Sequence, residues 1–237
     1  MSKEITFTNI FGFDFFPPKP AIKNIPNWYI ETPEYVNEEG RVTAGGEETP
    51  HTIKKCMPVF DAMTLGYILY TQVDVQVKQK DGLPYYSWRD QRPISFHPIE
   101  QASLHPGKNN APYPKWDNPY CIKTPPGYST LFVNPMHNPN GIFKVFEGVV
   151  DTDRYSSPTN FPFVWNDVKW EGIIDAGTPM VQVIPIKRDS WKCKIGDEKD
   201  LKEQGMITAK LKTLIFNSYK LQFWSRKEYR WKHLHLL

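Results

Sequence analysis

Proline sets the first limit on what this chain can fold into. Twenty-two prolines are spread through 237 residues. Each one removes a backbone donor and fixes φ, which breaks helix interiors and confines proline to strand edges and turns. With aromatic residues at 14%, this pattern suits many short strands joined by ordered, Pro-rich loops better than a helical bundle. The length allows one large β-rich domain or one domain with decorations.

Local patterns sharpen that reading. Val73 to Lys78 alternates apolar and polar, Asp81-Gly82 follows, and Leu83 to Trp88 is rich in aromatics, which together predict a hairpin. Glu4 to Ile10, Tyr67 to Tyr70, Tyr128 to Val133, Phe143 to Val150, Phe161 to Trp165 and Met180 to Ile186 read as strands, Ile94 to His105 as a strand with its turn, and a short helix follows Pro58. Gly107 to Pro119 reads as a loop. Phe11 to Pro26 reads as an ordered arm that lies either along a neighbouring subunit or back on its own domain. Thr32 to Pro50 is a polar loop. From Ile207 to Trp231 the apolar period lengthens, and Ile207, Leu211, Leu214, Ile215, Tyr219 and Phe223 fall on one face of an amphipathic C-terminal helix. The expected division is an arm over residues 1–50, a β domain over 51–190 and a linker with its helix over 191–237.

Charge and cysteine usage exclude several classes. A formal net charge of +3 implies no strong affinity for polyanions, so nucleic acid is an unlikely partner. The three scattered cysteines, Cys56, Cys121 and Cys193, fit buried thiols in a reducing compartment. No window approaches the ~20 apolar residues of a membrane span, and the first residues carry no signal-peptide pattern. These features predict a protein that is neither secreted nor membrane-bound. His97, His105, His137, His233 and His235 show no convincing metal-ligand spacing, so no metal site is expected.

The candidate chemistry sits in Gly148-Val149-Val150-Asp151-Thr152-Asp153-Arg154-Tyr155 and in Ile173 to Ile184. On a strand, Asp151 and Asp153 would share a face and could hold a divalent cation. Asp151 could equally cap the turn by accepting backbone N–H bonds. Gln182 lies inside an apolar strand and must find a partner if buried.

These segments, with Ile122-Lys123-Thr124-Pro125-Pro126-Gly127-Tyr128 before them, resemble the dUTP pyrophosphatase and dCTP deaminase superfamily over residues 122–188. The chain also resembles an uncharacterised family of phage and bacterial proteins of similar length. The first resemblance implies an all-β, dUTPase-like β-clip domain assembling as a homotrimer, to which this chain adds an N-terminal extension and, in place of the family's Gly-rich tail, a C-terminal helix. It implies that Asp151 orients an attacking water if the protein is an enzyme, and that Asp151, Asp153, Tyr155 and Gln182 surround a deoxynucleotide, with Mg²⁺ as cofactor.

The catalytic motifs of that superfamily are degenerate here. Arg154 stands where the family stacks an aromatic on deoxyribose, with Tyr155 one residue further on. Asn134 to Pro139 replaces an Arg-Ser-Gly phosphate motif, and Phe161 to Trp165 lacks the deaminase glutamate. Phosphoryl transfer depends on positioned charge around phosphate and metal. The expectation is therefore a non-catalytic, phage-encoded trimeric structural or accessory protein, without a cofactor, located in host cytoplasm or virion with other virion proteins as partners. The alternative is a nucleotide-binding or nucleotide-hydrolysing protein.

Overall fold

The computed structural model describes residues 3–35, 51–102, 112–155, 157–213 and 219–225. These divide into two compact units, one holding residues 3–26 and 63–188, the other 27–35, 51–62, 189–213 and 219–225. Most regular structure is β. In chain order come β1 (Thr6–Asn9), β2 (Lys19–Pro20), α1 (Asn27–Glu31), α2 (Met57–Thr64), β3 (Tyr67–Tyr70), β4 (Val75–Lys80), β5 (Leu83–Trp88), β6 (Ile94–His97), β7 (Tyr113–Trp116) and β8 (Tyr120–Lys123). There follow β9 (Tyr128–Val133), β10 (Phe143–Val145), β11 (Gly148–Val150), β12 (Phe161–Trp165), β13 (Gly172–Ile174), β14 (Pro179–Lys187) and α3 (Glu198–Thr213).

The larger unit carries four antiparallel sheets, in the orders β1-β8, β10-β12-β7-β6, β11-β9-β14-β3-β2 and β13-β4-β5. The hairpin β4–β5 turns through Asp81 and Gly82, both at positive φ (54° and 75°). That is the type I′ geometry an Asp-Gly pair favours, because its twist matches that of the strands. Prolines sit where a strand has a neighbour on one side only. Pro84 is on the edge strand β5, Pro114 faces β6 before β12 begins to pair, and Pro185 faces β9 after β3 has ended. No ladder bond is lost there to the missing N–H.

β3 is buried at all four positions because both faces are covered. Tyr67 and Leu69 enter the main core, while Ile68 and Tyr70 pack with Ala21 of the arm. The arm therefore folds back on its own unit, with Lys19 opposite Ile68 and Pro20 opposite Tyr67. The main core is aromatic. Trp116 stacks on Phe163 at 5.0 Å, and Trp165 stacks between Tyr86 (5.9 Å) and Trp170 (5.8 Å). Trp165 Nε1 donates to Tyr86 Oη at 3.2 Å, and burial pushes the Tyr86 hydroxyl up to about 12. Trp116 and Trp165 thus act as core, with Trp170 packed against it.

Several expectations need correction. The stretch 107–119 is not all loop, since Tyr113–Trp116 forms β7, paired with β6 along its length and with β12 at its last two residues. Phe143 to Val150 is not one strand. It breaks at Phe146, whose N–H donates to Pro162 O at 2.8 Å, and β10 and β11 join different sheets. The C-terminal helix begins at Glu198 rather than Ile207. Asp197 is its N-cap, accepting from Lys199 N (3.0 Å) and Asp200 N (3.1 Å), while Asp200 accepts from Asp197 N at 3.0 Å. That reciprocal pair is a capping box with aspartate in the role of glutamate. Leu201 and Met206 on this helix are exposed. Residues 214–218 and 226–231 of the expected helix lie outside the described residues.

In the smaller unit, Tyr29 is buried and its hydroxyl donates to Lys54 O at 3.1 Å, while Trp224 Nε1 donates to Asp61 Oδ2 at 3.0 Å. Among the described residues no disulfide links the three cysteines. Cys56 and Cys121 are half-buried, and Cys193 is exposed where burial was expected. Among the described residues no helix is long and apolar enough to cross a membrane.

Candidate functional site: an acidic corner clasped by arginine

β11 ends at Val150, and the chain turns at once. Arg154 N and Tyr155 N both donate to Asp151 O at 2.9 Å. Beside this corner lies the turn Pro125-Pro126-Gly127-Tyr128, closed by Tyr128 N donating to Pro125 O at 3.2 Å. Three buried threonines lock the two together. Thr152 Oγ1 sits 2.8 Å from both Thr124 Oγ1 and Thr130 Oγ1, and Thr124 N donates to Thr152 O at 3.3 Å. Buried hydroxyls satisfied by one another form a rigid brace.

The brace aims Asp151 and Asp153 at one cation, Arg188, which follows β14. The β9–β14 register, with Lys187 opposite Tyr128, brings Arg188 to the Pro-Gly turn, where its N–H donates to Gly127 O at 2.9 Å. Its Nη1 lies 2.9 Å from Asp153 Oδ1, 3.3 Å from Asp151 Oδ1, 3.0 Å from Ser129 Oγ and 3.0 Å from Tyr128 O. Its Nη2 donates to Asp153 Oδ2. Asp153 also accepts from Gly127 N at 2.9 Å, and its side chain is 6% exposed. The two acids do converge, but through the turn rather than by sharing a strand face.

The Arg188 hydrogen bond, aided by Gly127 N–H and the arginine charge, holds the Asp153 carboxyl down to about 2. Asp153 in turn raises the guanidinium above its ordinary range. An acid whose folded pKa lies below its unfolded value of about 3.9 adds stability above that value and loses it as pH falls through the folded one. The stability advantage of the wild type over Asp153→Asn is therefore expected to shrink between about pH 4 and about pH 2. Urea midpoints for the two proteins across that window test this, and an unchanged gap at the acid end would refute the clasp.

Asp151 is the open member of the pair. Ser129 Oγ donates to its Oδ1 at 2.6 Å, and the side chain is 57% exposed. Among the described residues its Oδ2 accepts no hydrogen bond. Tyr155 gives the corner only its backbone N–H. Its ring is exposed, and its hydroxyl lies 3.5 Å from Pro158 O.

Gln182 is not brought to the acids. It is fully buried opposite Val133, four residues along β9 from Ser129, or roughly 13 Å at strand spacing. Its Oε1 accepts from Met136 N at 2.9 Å and its Nε2 donates to Leu65 O at 2.6 Å, so both ends of the amide hold backbone. Sequence reasoning missed Arg188, Ser129 and the threonine brace.

His97 lies on β6, and His137 sits in a turn at φ 57°. His105, His233 and His235 lie outside the described residues. Among the described residues no three His, Cys, Asp or Glu side chains gather as a metal site.

No protein-family model matches the chain. No curated protein matches it either. The solved structure of a mutant dUTPase from phage phi11 of S. aureus, described as coordinating a structural Mg(II) ion, overlaps 69% of this chain and 94% of its own. The TM-score is 0.30 and the identity 13%. An overlap that loose assigns neither fold nor activity to this chain.

Proposed function

We propose that the chain is a non-catalytic scaffold protein built on a β-clip-like domain, phage-encoded, and assembling with copies of itself as a trimer. The observation that carries the non-catalytic part is the Arg188 clasp. Where a nucleotide hydrolase needs carboxylates free to hold metal or aim water, Asp153 is taken by Arg188 and a backbone N–H, and Asp151 Oδ1 by Ser129 and Arg188. The β-clip and the phage source rest on the resemblance of the ordered Pro-Gly-Tyr, Gly-Val-Val-Asp and Gly-to-Gln segments.

Self-assembly is supported by apolar side chains on sheet edges. Val149 on β11 is 58% exposed and Ile173 on β13 is 56% exposed, and both strands end their sheets. Unprotected apolar edges are a liability unless a partner covers them. Sedimentation equilibrium of the full chain is expected to give three copies, with Val149→Lys shifting the protein toward monomer. A monomer at all concentrations would end the assembly reading.

A second reading draws on the unengaged Oδ2 of Asp151. In that reading the corner contributes one carboxylate to a deoxynucleotide or Mg²⁺ site completed by another subunit.

A further inference from the structure

Away from the clasp, the larger unit holds a concave site of about 570 Å³, with none of Asp151, Asp153 or Arg188 in its wall. The volume falls within the ~300–1,000 Å³ range of small-molecule sites. One wall is apolar and comes from the arm, through Phe11 and Phe15. Polar lining comes from the β6–β7 pair, where Ser95 and Lys115 are directly opposite one another in register.

The charges in that wall are uneven. Asp117 accepts from Ser95 Oγ at 2.5 Å and faces Arg92 Nε at 3.5 Å, so its two oxygens are occupied. Among the described residues the Lys115 ammonium has neither an ion pair nor a hydrogen-bond partner. Two cations against one carboxylate leave a single positive charge beside an aromatic wall. His97 nearby is held below its ordinary range, by burial first and by the Lys115 charge second. Asn160 Oδ1 is used by Asn118 N at 3.1 Å, which leaves its amide N–H₂ as a further donor.

We infer that this cavity binds a small aromatic carboxylate, its ring against Phe11 and Phe15 and its single negative charge at Lys115 and Arg92. A monoanion matches the net charge, whereas a triphosphate carries far more than the cavity offsets. The apolar body supplies affinity by burial, and the charge-assisted hydrogen bonds fix orientation.

Calorimetric titration of the full chain with 4-phenylbutyrate, indole-3-propionate and 2-naphthoate tests this. Uncharged 4-phenylbutanamide and inorganic phosphate serve as controls. The expected result is one saturable site for at least one carboxylate, weakened about tenfold or more in Lys115→Met and in Arg92→Met. Both positions are half-buried or exposed, so the fold survives, as circular dichroism would verify. Binding of none of the carboxylates overturns the inference. So does equal binding of the amide or of phosphate, or indifference to both substitutions.

Discussion

Gly66→Ala is expected to cost the larger unit about 3 kcal/mol or more, enough to threaten its folding. Gly66 links α2 to β3 at φ +73°, and a Cβ there would stand 2.1 Å from Val183 O and 3.0 Å from Val183 C. Both atoms are backbone of β14, at the middle of the five-stranded sheet, and cannot rotate away. Backing Gly66 off would also strain the arm, because Ala21 N donates to Gly66 O at 2.9 Å. Gly82→Ala provides the control. Its φ is +75°, but a Cβ there meets nothing within 4 Å. It therefore carries only the conformational part, about 1 kcal/mol. Urea unfolding of the two variants separates close approach from backbone strain. Equal losses would mean that β3 and β14 do not meet as described.

Gln182→Leu is expected to cost about 2–4 kcal/mol. Leucine nearly fills the space, so the loss comes from polarity rather than a cavity. The Met136 N–H and the Leu65 C=O would each lose a partner inside a fully buried site. An unmet buried group costs about 1–3 kcal/mol. A ligand-binding role predicts the reverse, with stability kept and recognition lost. Denaturant midpoints of wild type and variant decide between the two, and a midpoint unchanged by Gln182→Leu would remove the amide from the framework.

What the sequence displays and what it hides follow from the range of the interactions involved. The β4–β5 hairpin is legible because alternation and the Asp-Gly turn are both local. β9, β12 and β14 are legible as apolar runs between turn residues. β7 is hidden because Pro114 and Lys115 spoil its alternation, and pairing with β6 and β12 decides the matter instead. The change of sheet between β10 and β11 rests on different distant partners, β12 and β9, and no local signal marks it.

The start of α3 is marked locally by Asp197-Glu198-Lys199-Asp200, a capping pattern without the apolar period that normally follows one. The site divides in the same way. The two acids at the strand end are visible in sequence. Arg188 is 35 residues beyond Asp153 and meets it only through the β9–β14 register, so the residue that determines their chemistry is not. Gln182 shows the converse, since an amide in an apolar run signals burial without saying whether its partner is ligand or backbone.

On the reading proposed above, Asp151 and Asp153 belong to a structural clasp and not to a nucleotide site. Thermal unfolding of the purified protein with each deoxynucleoside and ribonucleoside triphosphate and Mg²⁺ tests it most directly, with pyrophosphate release read in the same samples, since binding to the folded state raises the melting temperature. On that reading, an unchanged melting temperature across the panel and no pyrophosphate are the expected results. A rise of several degrees with one nucleotide that disappears in Asp151→Ala, or any release of pyrophosphate that Asp151→Ala abolishes, would contradict it.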